Sequence, residues 1–418
     1  MQKFTVTALC AAGAEKVVSN ELKKLVPSRP GTGDYAVLES GFGKVRFTTD
    51  LEGLYRALMS LRAADRLLLE AGVFPAPGFD ELFEGTRNIA WEQYIPGGMG
   101  LKVSKVRASR SKLAAETSVQ AVVHKAAAER LCGHYGIRRL PEPEALPGGQ
   151  GLLKPSHGML IKPARGTREK RGVQQAELRV YLEKDRASLL LDLSGPPLFK
   201  RGYRPSGGTA PLRETAAAAI ILLSGWRRKF PLYDPLCGSG TIVIEAALYA
   251  WDQAPGLGRN FALSDLAIGD KKLEADVRGE LAEKADYSRT VRIYGSDADD
   301  GAVTLARTNL RRALNGRIPG GVTIRTLPME EAGVPEECKD NPGFVLTNPP
   351  YGRRLGDTGE AEARYRDMGD LGRRFPGWKL GLICDHPGFE SHFGRKADSC
   401  RELKNGAVDA YFYQYEKL

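Results

Sequence analysis

The sequence predicts an α/β protein whose second half is an open, doubly wound sheet, and three stretches predict it. Phe230-Pro-Leu-Tyr-Asp234 is a short apolar strand that passes through the tight loop Pro235-Leu-Cys-Gly-Ser-Gly240 into an apolar helix, Thr241 to Ala250. Tyr294-Gly-Ser-Asp297 ends a second apolar strand on an acid, and Val345-Leu-Thr-Asn-Pro-Pro-Tyr351 reads as a buried strand stopped by two prolines. Strand, glycine loop and helix is the repeating unit of a parallel sheet, whose ligands lie at the carboxyl ends of the strands.

The first half reads as smaller α/β units. Lys3-Phe-Thr-Val-Thr-Ala8 alternates like an edge strand, and Gly13 to Lys24 places Val17, Val18 and Leu22 at helical spacing. Tyr35 to Leu38 and Gly43 to Phe47 are further strands. Asp50 caps a helix through Ser60, and Leu67 to Glu70 returns as a strand. A helix from Phe79 to Asn88 precedes Gly100-Leu-Lys-Val-Ser-Lys-Val-Arg107, a strand with cations on one face, and Leu113 to Leu131 makes a long helix with a core-facing apolar stripe. From Leu140 to Ala176 the chain is Pro/Gly-rich and then basic, without apolar periodicity. This insert either grips phosphates or is idle. Ala176 to Leu182 and Ser188 to Leu193 form a hairpin, Arg201-Gly-Tyr203 is a connecting turn, and Pro211 opens a helix to Ser224. Asp252 to Tyr287 reads as a surface excursion between the first two strands of the sheet. Val322 to Thr326 and Leu380 to Cys384 are further strands, and the run Tyr411-Phe-Tyr413 closes the sheet by packing.

At 418 residues, with 42% hydrophobic and 27% charged residues, the chain has the composition of a soluble protein of two to three domains. Its six cysteines show no Cys-x-x-Cys or His-rich pairing, so neither a disulfide frame nor a metal site is expected, and reduced thiols fit a cytoplasm. No signal-like start and no run of 18 apolar residues is present, which excludes a membrane-embedded class. The net charge of +10 is local: residues 102–215 hold 22 Lys/Arg against 10 Asp/Glu. A polyanion is the partner such a surface fits.

The motifs carry the chemistry. Asp-x-x-x-Gly-x-Gly, Asp234 to Gly240, is neither the dinucleotide fingerprint nor a P-loop, so no phosphate is implied. Asp297 is placed to hold ribose hydroxyls. Asn348 offers a side-chain acceptor and Pro349 a carbonyl, while Pro350 withholds a donor and Tyr351 offers a stacking face. An exocyclic amine of a purine fits those parts.

In that order these motifs resemble the class I S-adenosylmethionine-dependent methyltransferases that modify amino groups of bases. Leu191-Asp-Leu-Ser-Gly195, Phe199-Lys-Arg-Gly-Tyr-Arg204, Ala210-Pro-Leu-Arg-Glu-Thr215, Ser224-Gly-Trp226, Ala254-Pro-Gly-Leu257, Asn348-Pro-Pro-Tyr-Gly352 and Lys404-Asn-Gly406 narrow the resemblance to the bacterial THUMP-domain 23S rRNA guanine-N2 methyltransferases. The resemblance implies a ferredoxin-like unit at 1–50, a THUMP RNA-binding domain at 51–195 with the basic insert near 141–175, and a Rossmann-like class I methyltransferase domain at 196–418. It implies S-adenosyl-L-methionine held by Asp234, Pro235, Cys237, Gly238, Ser239, Gly240, Thr241, Asp297, Ala298 and Asn348, with Glu330 as a register-shifted acceptor for the adenine amine and Tyr203 and Arg213 closing the pocket. Asn348, Pro349, Pro350 and Tyr351 would be catalytic, by direct displacement with no metal. Ribosomal RNA would be gripped by Lys102, Lys105, Arg107, Lys112, Arg165, Arg168, Lys170, Arg171, Arg201 and Tyr203. A monomer is expected. Three alternatives stay open: adenine N6 in RNA or DNA as the target, guanine N2 in transfer RNA, or an RNA-binding ribosome assembly factor without activity.

Overall fold

The structure, a computed structural model, describes residues 2–25, 34–142, 174–204, 212–317, 319–349, 358–386, 388–405 and 408–418. Arg165, Arg168, Lys170 and Arg171 of the basic insert, together with Pro211, Pro350 and Tyr351, lie outside the described residues.

Two seven-stranded sheets organise the chain. The first begins with β1 (Phe4–Cys10), α1 (Glu15–Lys24), β2 (Ala36–Gly41), β3 (Lys44–Thr49), α2 (Leu51–Ser60) and β4 (Ala64–Pro75). These strands pair antiparallel in the order β2-β3-β1-β4, the ferredoxin-like arrangement. Asp50 does cap α2, accepting from the Gly53 amide at 2.9 Å, a hydrogen bond whose removal costs about 1 kcal/mol. The face of α2 carrying Leu54, Tyr55 and Leu58 is fully buried.

The structure departs from the sequence expectation twice here. β1 is an inner strand, because Phe4, Val6 and Ala8 on one face and Thr7 on the other are all buried. The boundary expected at residue 50 cuts through the ferredoxin-like unit, since α2 and β4 complete it. The sheet then continues without a break: after α3 (Phe79–Arg87) come β5 (Gly100–Ser109), α4 (Glu116–Tyr135), β6 (Gln175–Glu183) and β7 (Arg186–Asp192), and β7 pairs directly with β4. β5 lies at the outer edge, parallel to β6.

The second sheet follows α5 (Glu214–Leu223) and contains β8 (Leu232–Asp234), β9 (Ile293–Asp297), β10 (Val322–Thr326), β11 (Phe344–Thr347), β12 (Lys379–Cys384), β13 (Ser399–Asn405) and β14 (Val408–Tyr415) in the order β10-β9-β8-β11-β12-β14-β13. The five strands from β10 to β12 are parallel and β14 runs against β12. Helices α6 (Thr241–Ala250), α7 (Lys271–Glu283) and α8 (Asp300–Ala313) complete the crossovers. Strand order reverses between β8 and β11, which opens a crevice there. Phe412 and Tyr413 are buried, as packing residues should be.

The segment 252–287 is not a surface excursion. It clamps the two sheets together. Gly256 lies against the backbone of Met59 so closely that a Cβ would stand 2.7 Å from the Met59 Cα. The Leu263 amide donates to the Leu193 carbonyl (3.0 Å), the Ala267 amide to that of Tyr94 (2.8 Å), and Arg56 of α2 forms a 2.8 Å ion pair with Glu280 of α7. Phe261, Leu263, Val277 and Leu281 are buried in the process. Charge on the outward face of α7 disguised an apolar inward face. Among the described residues, no helix is long and apolar enough to cross a membrane.

Candidate active site at the carboxyl edge of the second sheet

β8 ends in Asp234, and the chain then turns through Pro235 to Gly240. Gly238 (φ +50°) and Gly240 (φ +82°) both take left-handed backbone angles that other residues adopt at a cost. Gly240 also has no room for a side chain, since a Cβ would stand 2.9 Å from that of Ala306 on α8. Nothing lies within 4 Å of the corresponding position at Gly238, so the loop presents bare backbone to open space there. Three bonds fix the loop's shape: the Cys237 amide donates to the Ser296 carbonyl (2.9 Å), the Gly240 amide to that of Cys237 (2.8 Å), and buried Asn309 of α8 donates through Nδ2 to the Ser239 carbonyl (3.1 Å).

Asp297, at the end of the neighbouring strand β9, accepts from the Gly238 amide through Oδ2 (2.9 Å) and from the Asp299 amide through Oδ1 (3.1 Å). Its half-buried carboxylate therefore stands beside the open face of Gly238, and Ala298 follows it on the exposed side. Asp234 is different. It is 1% exposed, and burial pushes its carboxyl up to about 7, against hydrogen bonds from the Thr347 hydroxyl (2.8 Å) and the Leu236 amide (3.2 Å). Burial also pushes the Cys237 thiol up, so it stays protonated and is no nucleophile.

Thr347 is the last residue of β11, and it ties the two motifs together. Through its bond to Asp234 it sets Asn348 and Pro349 beside the glycine loop at the crevice between β8 and β11. Asn348 is half-buried and Pro349 buried. Neither Thr347 nor Asn309 was singled out from sequence. The available signal was a polar residue in an otherwise apolar stretch: Thr347 after Phe-Val-Leu, and Asn309 on the face of α8 that also carries Val303 and Ala306.

The expected set is otherwise divided. Thr241 and Pro235 are buried in the loop and helix start, as a cradle requires. Glu330 is exposed and engaged with Arg364 at 3.0 Å, so a role at an adenine amine would require that pair to open. Lys102, Lys105, Arg107 and Lys112 are exposed on and just beyond edge strand β5. Arg201 and Tyr203 are not RNA-facing: they are 6% and 3% exposed. Arg201 donates to the carbonyls of Leu198 (2.8 Å) and Arg62 (2.5 Å), and the Tyr203 hydroxyl donates to Glu245 (3.1 Å). Arg213 pairs with Asp65 of β4 at 3.5 Å. Packing of the connecting turn thus buries Tyr203 against α6, while Arg213, at the start of α5 and partly exposed, is held across the joint by Asp65 of the first sheet.

A parallel sheet in this order, with a glycine loop after β8 and an acid after β9, defines a class I S-adenosylmethionine-dependent methyltransferase. The open face of Gly238 and the carboxylate beside it fit the cofactor, which supplies an electrophilic methyl group when bound. Residues 201–414 match the family described as RMKL-like, methyltransferase domain, and residues 5–68 match the RlmL ferredoxin-like domain. The chain belongs to this RlmL/YpsC type of methyltransferase. It is 34% identical over 415 residues to YpsC of Bacillus subtilis (strain 168), an inferred RNA methyltransferase, covering 99% of this chain and 96% of that protein. It superposes on SMU.472, an inferred methyltransferase complexed with S-adenosylhomocysteine, with a TM-score of 0.80 and 32% identity over 100% of this chain and 99% of that one. A protein of Listeria monocytogenes named as a predicted N6-adenine-specific DNA methylase matches with a TM-score of 0.81 and 34% identity, covering 99% and 96%.

Proposed function

We propose that the protein methylates N2 of a guanosine in 23S ribosomal RNA. The observation that carries the reading is the Thr347 to Asp234 hydrogen bond, which sets the acceptors of Asn348 and Pro349 beside the cofactor loop. A base amine is a poor nucleophile because its lone pair is delocalised into the ring. Two acceptors on its hydrogens would draw the nitrogen toward sp³ and hold its lone pair in line with the cofactor, which would supply the methyl group and keep the broken carbon–sulfur bonding pair as S-adenosylhomocysteine, while the amine proton is released to solvent. Positioning supplies most of the rate. Asp297 would hold the ribose of the cofactor and the loop from Asp234 to Thr241 its methionine end. The target base leaves its stack to reach the site.

RNA is favoured as substrate by the exposed cations on β5 and by the name of the Bacillus relative. The unit from α3 to β7 would be the THUMP module, gripping RNA through Lys102, Lys105, Arg107 and Lys112. A second reading, adenine N6, is favoured by the name of the Listeria relative, since Asn-Pro-Pro-Tyr serves either amine. Mass spectrometry of ribosomal and transfer RNA nucleosides from a strain lacking the protein separates them. Loss of N2-methylguanosine from 23S rRNA is expected, and loss of a methyladenosine instead would replace the guanine reading.

A further inference from the structure

With the cofactor loop after β8 and Asp297 after β9, a target base has to approach Asn348 from the other side, above β11 and β12. β11 and β12 run parallel with Thr347 opposite Leu382. Asn348 and Pro349 follow the last paired residue of β11, and β12 runs on to Cys384 at the same carboxyl edge, with His386 two residues further. There Glu362, on the helix Thr358–Met368, meets His386 and His392, the latter on the helix Phe389–Phe393. The Nε2 atoms of His392 and His386 lie 3.5 and 3.9 Å from the same Glu362 oxygen, with side chains 25%, 26% and 33% exposed for His392, His386 and Glu362.

These groups are assembled but not consumed by one another. Among the described residues the Glu362 carboxylate makes no hydrogen bond, and contacts at those distances leave its lone pairs available. The ring of His386 is held from two sides. Buried Tyr365 packs edge-on against it at 5.7 Å, and the Gly388 amide donates to its Nδ1 at 3.1 Å. An accepting Nδ1 places the proton of the neutral ring on Nε2, so the cluster offers an N–H donor beside a carboxylate acceptor. A metal ion would need the Nε2 lone pair, which this tautomer does not present.

We propose that Glu362 and His386 read the Watson–Crick edge of the target base and select guanine over adenine, an inference that rests on the guanine-N2 reading above. Guanine presents its N1–H donor between the N2 amine and the O6 acceptor. The carboxylate accepts from N1–H and the His386 Nε2–H donates to O6. Both N2 hydrogens are left for Asn348 and Pro349. With its N6 amine at Asn348 and Pro349, adenine inverts the pattern, setting its N1 lone pair against the carboxylate and only its C2–H against the imidazole N–H. A half-buried site that leaves polar groups unpaired with the wrong base discriminates strongly. His392 keeps Glu362 in place as a positioning residue.

The test supplies wild-type, Glu362→Gln and His386→Phe proteins with S-adenosylmethionine and ribosomal RNA extracted from a strain lacking the protein. Methylated nucleosides are counted by mass spectrometry and cofactor affinity by calorimetry. Glu362→Gln is expected to lower methylguanosine formation on the order of 10- to 100-fold with cofactor affinity unchanged. Its ratio of methyladenosine to methylguanosine should rise, because a glutamine amide can donate to adenine N1. His386→Phe should lower methylguanosine formation at unchanged cofactor affinity, which keeps the idea testable if one variant folds poorly. Wild-type rates with an unchanged ratio in both variants would overturn the inference while the guanine reading stood. So would a stoichiometric zinc ion bound by the wild type and lost in His386→Phe. Methyladenosine as the wild-type product would overturn both.

Discussion

In the second sheet five adjacent strands run parallel, whereas in the first only β5 and β6 do. Parallel strands put all their carboxyl ends on one edge, so Asp234, Asp297 and Asn348 converge although they are spread across more than a hundred residues. Antiparallel strands alternate their ends and build no such edge. The first sheet instead spreads its charge along β5, where Lys102, Lys105 and Arg107 stand exposed. On the proposed reading, chemistry is concentrated at points in the second sheet and RNA affinity is distributed along a line in the first. Substitutions should be all-or-none in the first case and incremental in the second.

The strongest break of that contrast is Asn348→Ala. Losing one preorganised acceptor in a water-excluded site should cost about 100-fold or more in turnover, with cofactor and RNA affinities retained. Single-turnover transfer of labelled methyl groups measures it, and near-normal transfer would remove Asn348 from the chemistry.

Next is Asp297→Ala, which takes away the proposed ribose acceptor and leaves the Gly238 amide without its partner. Calorimetric titration should show S-adenosylmethionine binding weakened about tenfold or more, since hydrogen bonds to a charged group each contribute about 1.5–3 kcal/mol. RNA binding should be untouched because the cations sit on the other sheet.

Asp234 gives a pH signature. Its folded pKa of about 7 lies above the ordinary 3.8, so ionisation opposes folding. The penalty is absent below the unfolded pKa, grows as pH rises between the two values and is complete above about 7. Asp234→Asn should therefore gain stability relative to the wild type between pH 5 and pH 8, on the order of 2 kcal/mol. Melting curves at both pH values read this, and parallel behaviour of the two proteins would mean that Asp234 does not titrate in that range.

The smallest single-residue effects belong to the line of cations. Changing Lys102, Lys105, Arg107 and Lys112 to Ser should flatten the log–log salt dependence of RNA binding by about 0.7–0.9 for each phosphate that is no longer neutralised, at constant cofactor affinity. Filter retention at several salt concentrations measures the slope, and an unaltered slope would move the RNA grip away from β5.

What the sequence determined by itself was everything encoded in short contiguous stretches. A glycine that must be left-handed, an acid that ends an apolar strand and a proline pair that stops one are local facts, so the loop at Gly238, Asp297 and the Asn348 corner were legible together with the α/β class. Asp50 as a helix cap was legible for the same reason. The tertiary structure alone decided which polar residues face inward. Arg201 and Tyr203 look in sequence like any basic and aromatic pair, yet they are buried at the joint of the two sheets, and the charged segment 252–287 hides the apolar face that makes the joint. Thr347, Asn309 and the Glu362–His386–His392 cluster acquire their partners only when β11, β12 and the helices after them are packed. Burial and partnership are properties of chain segments far apart in sequence, and no periodicity within one segment can carry them.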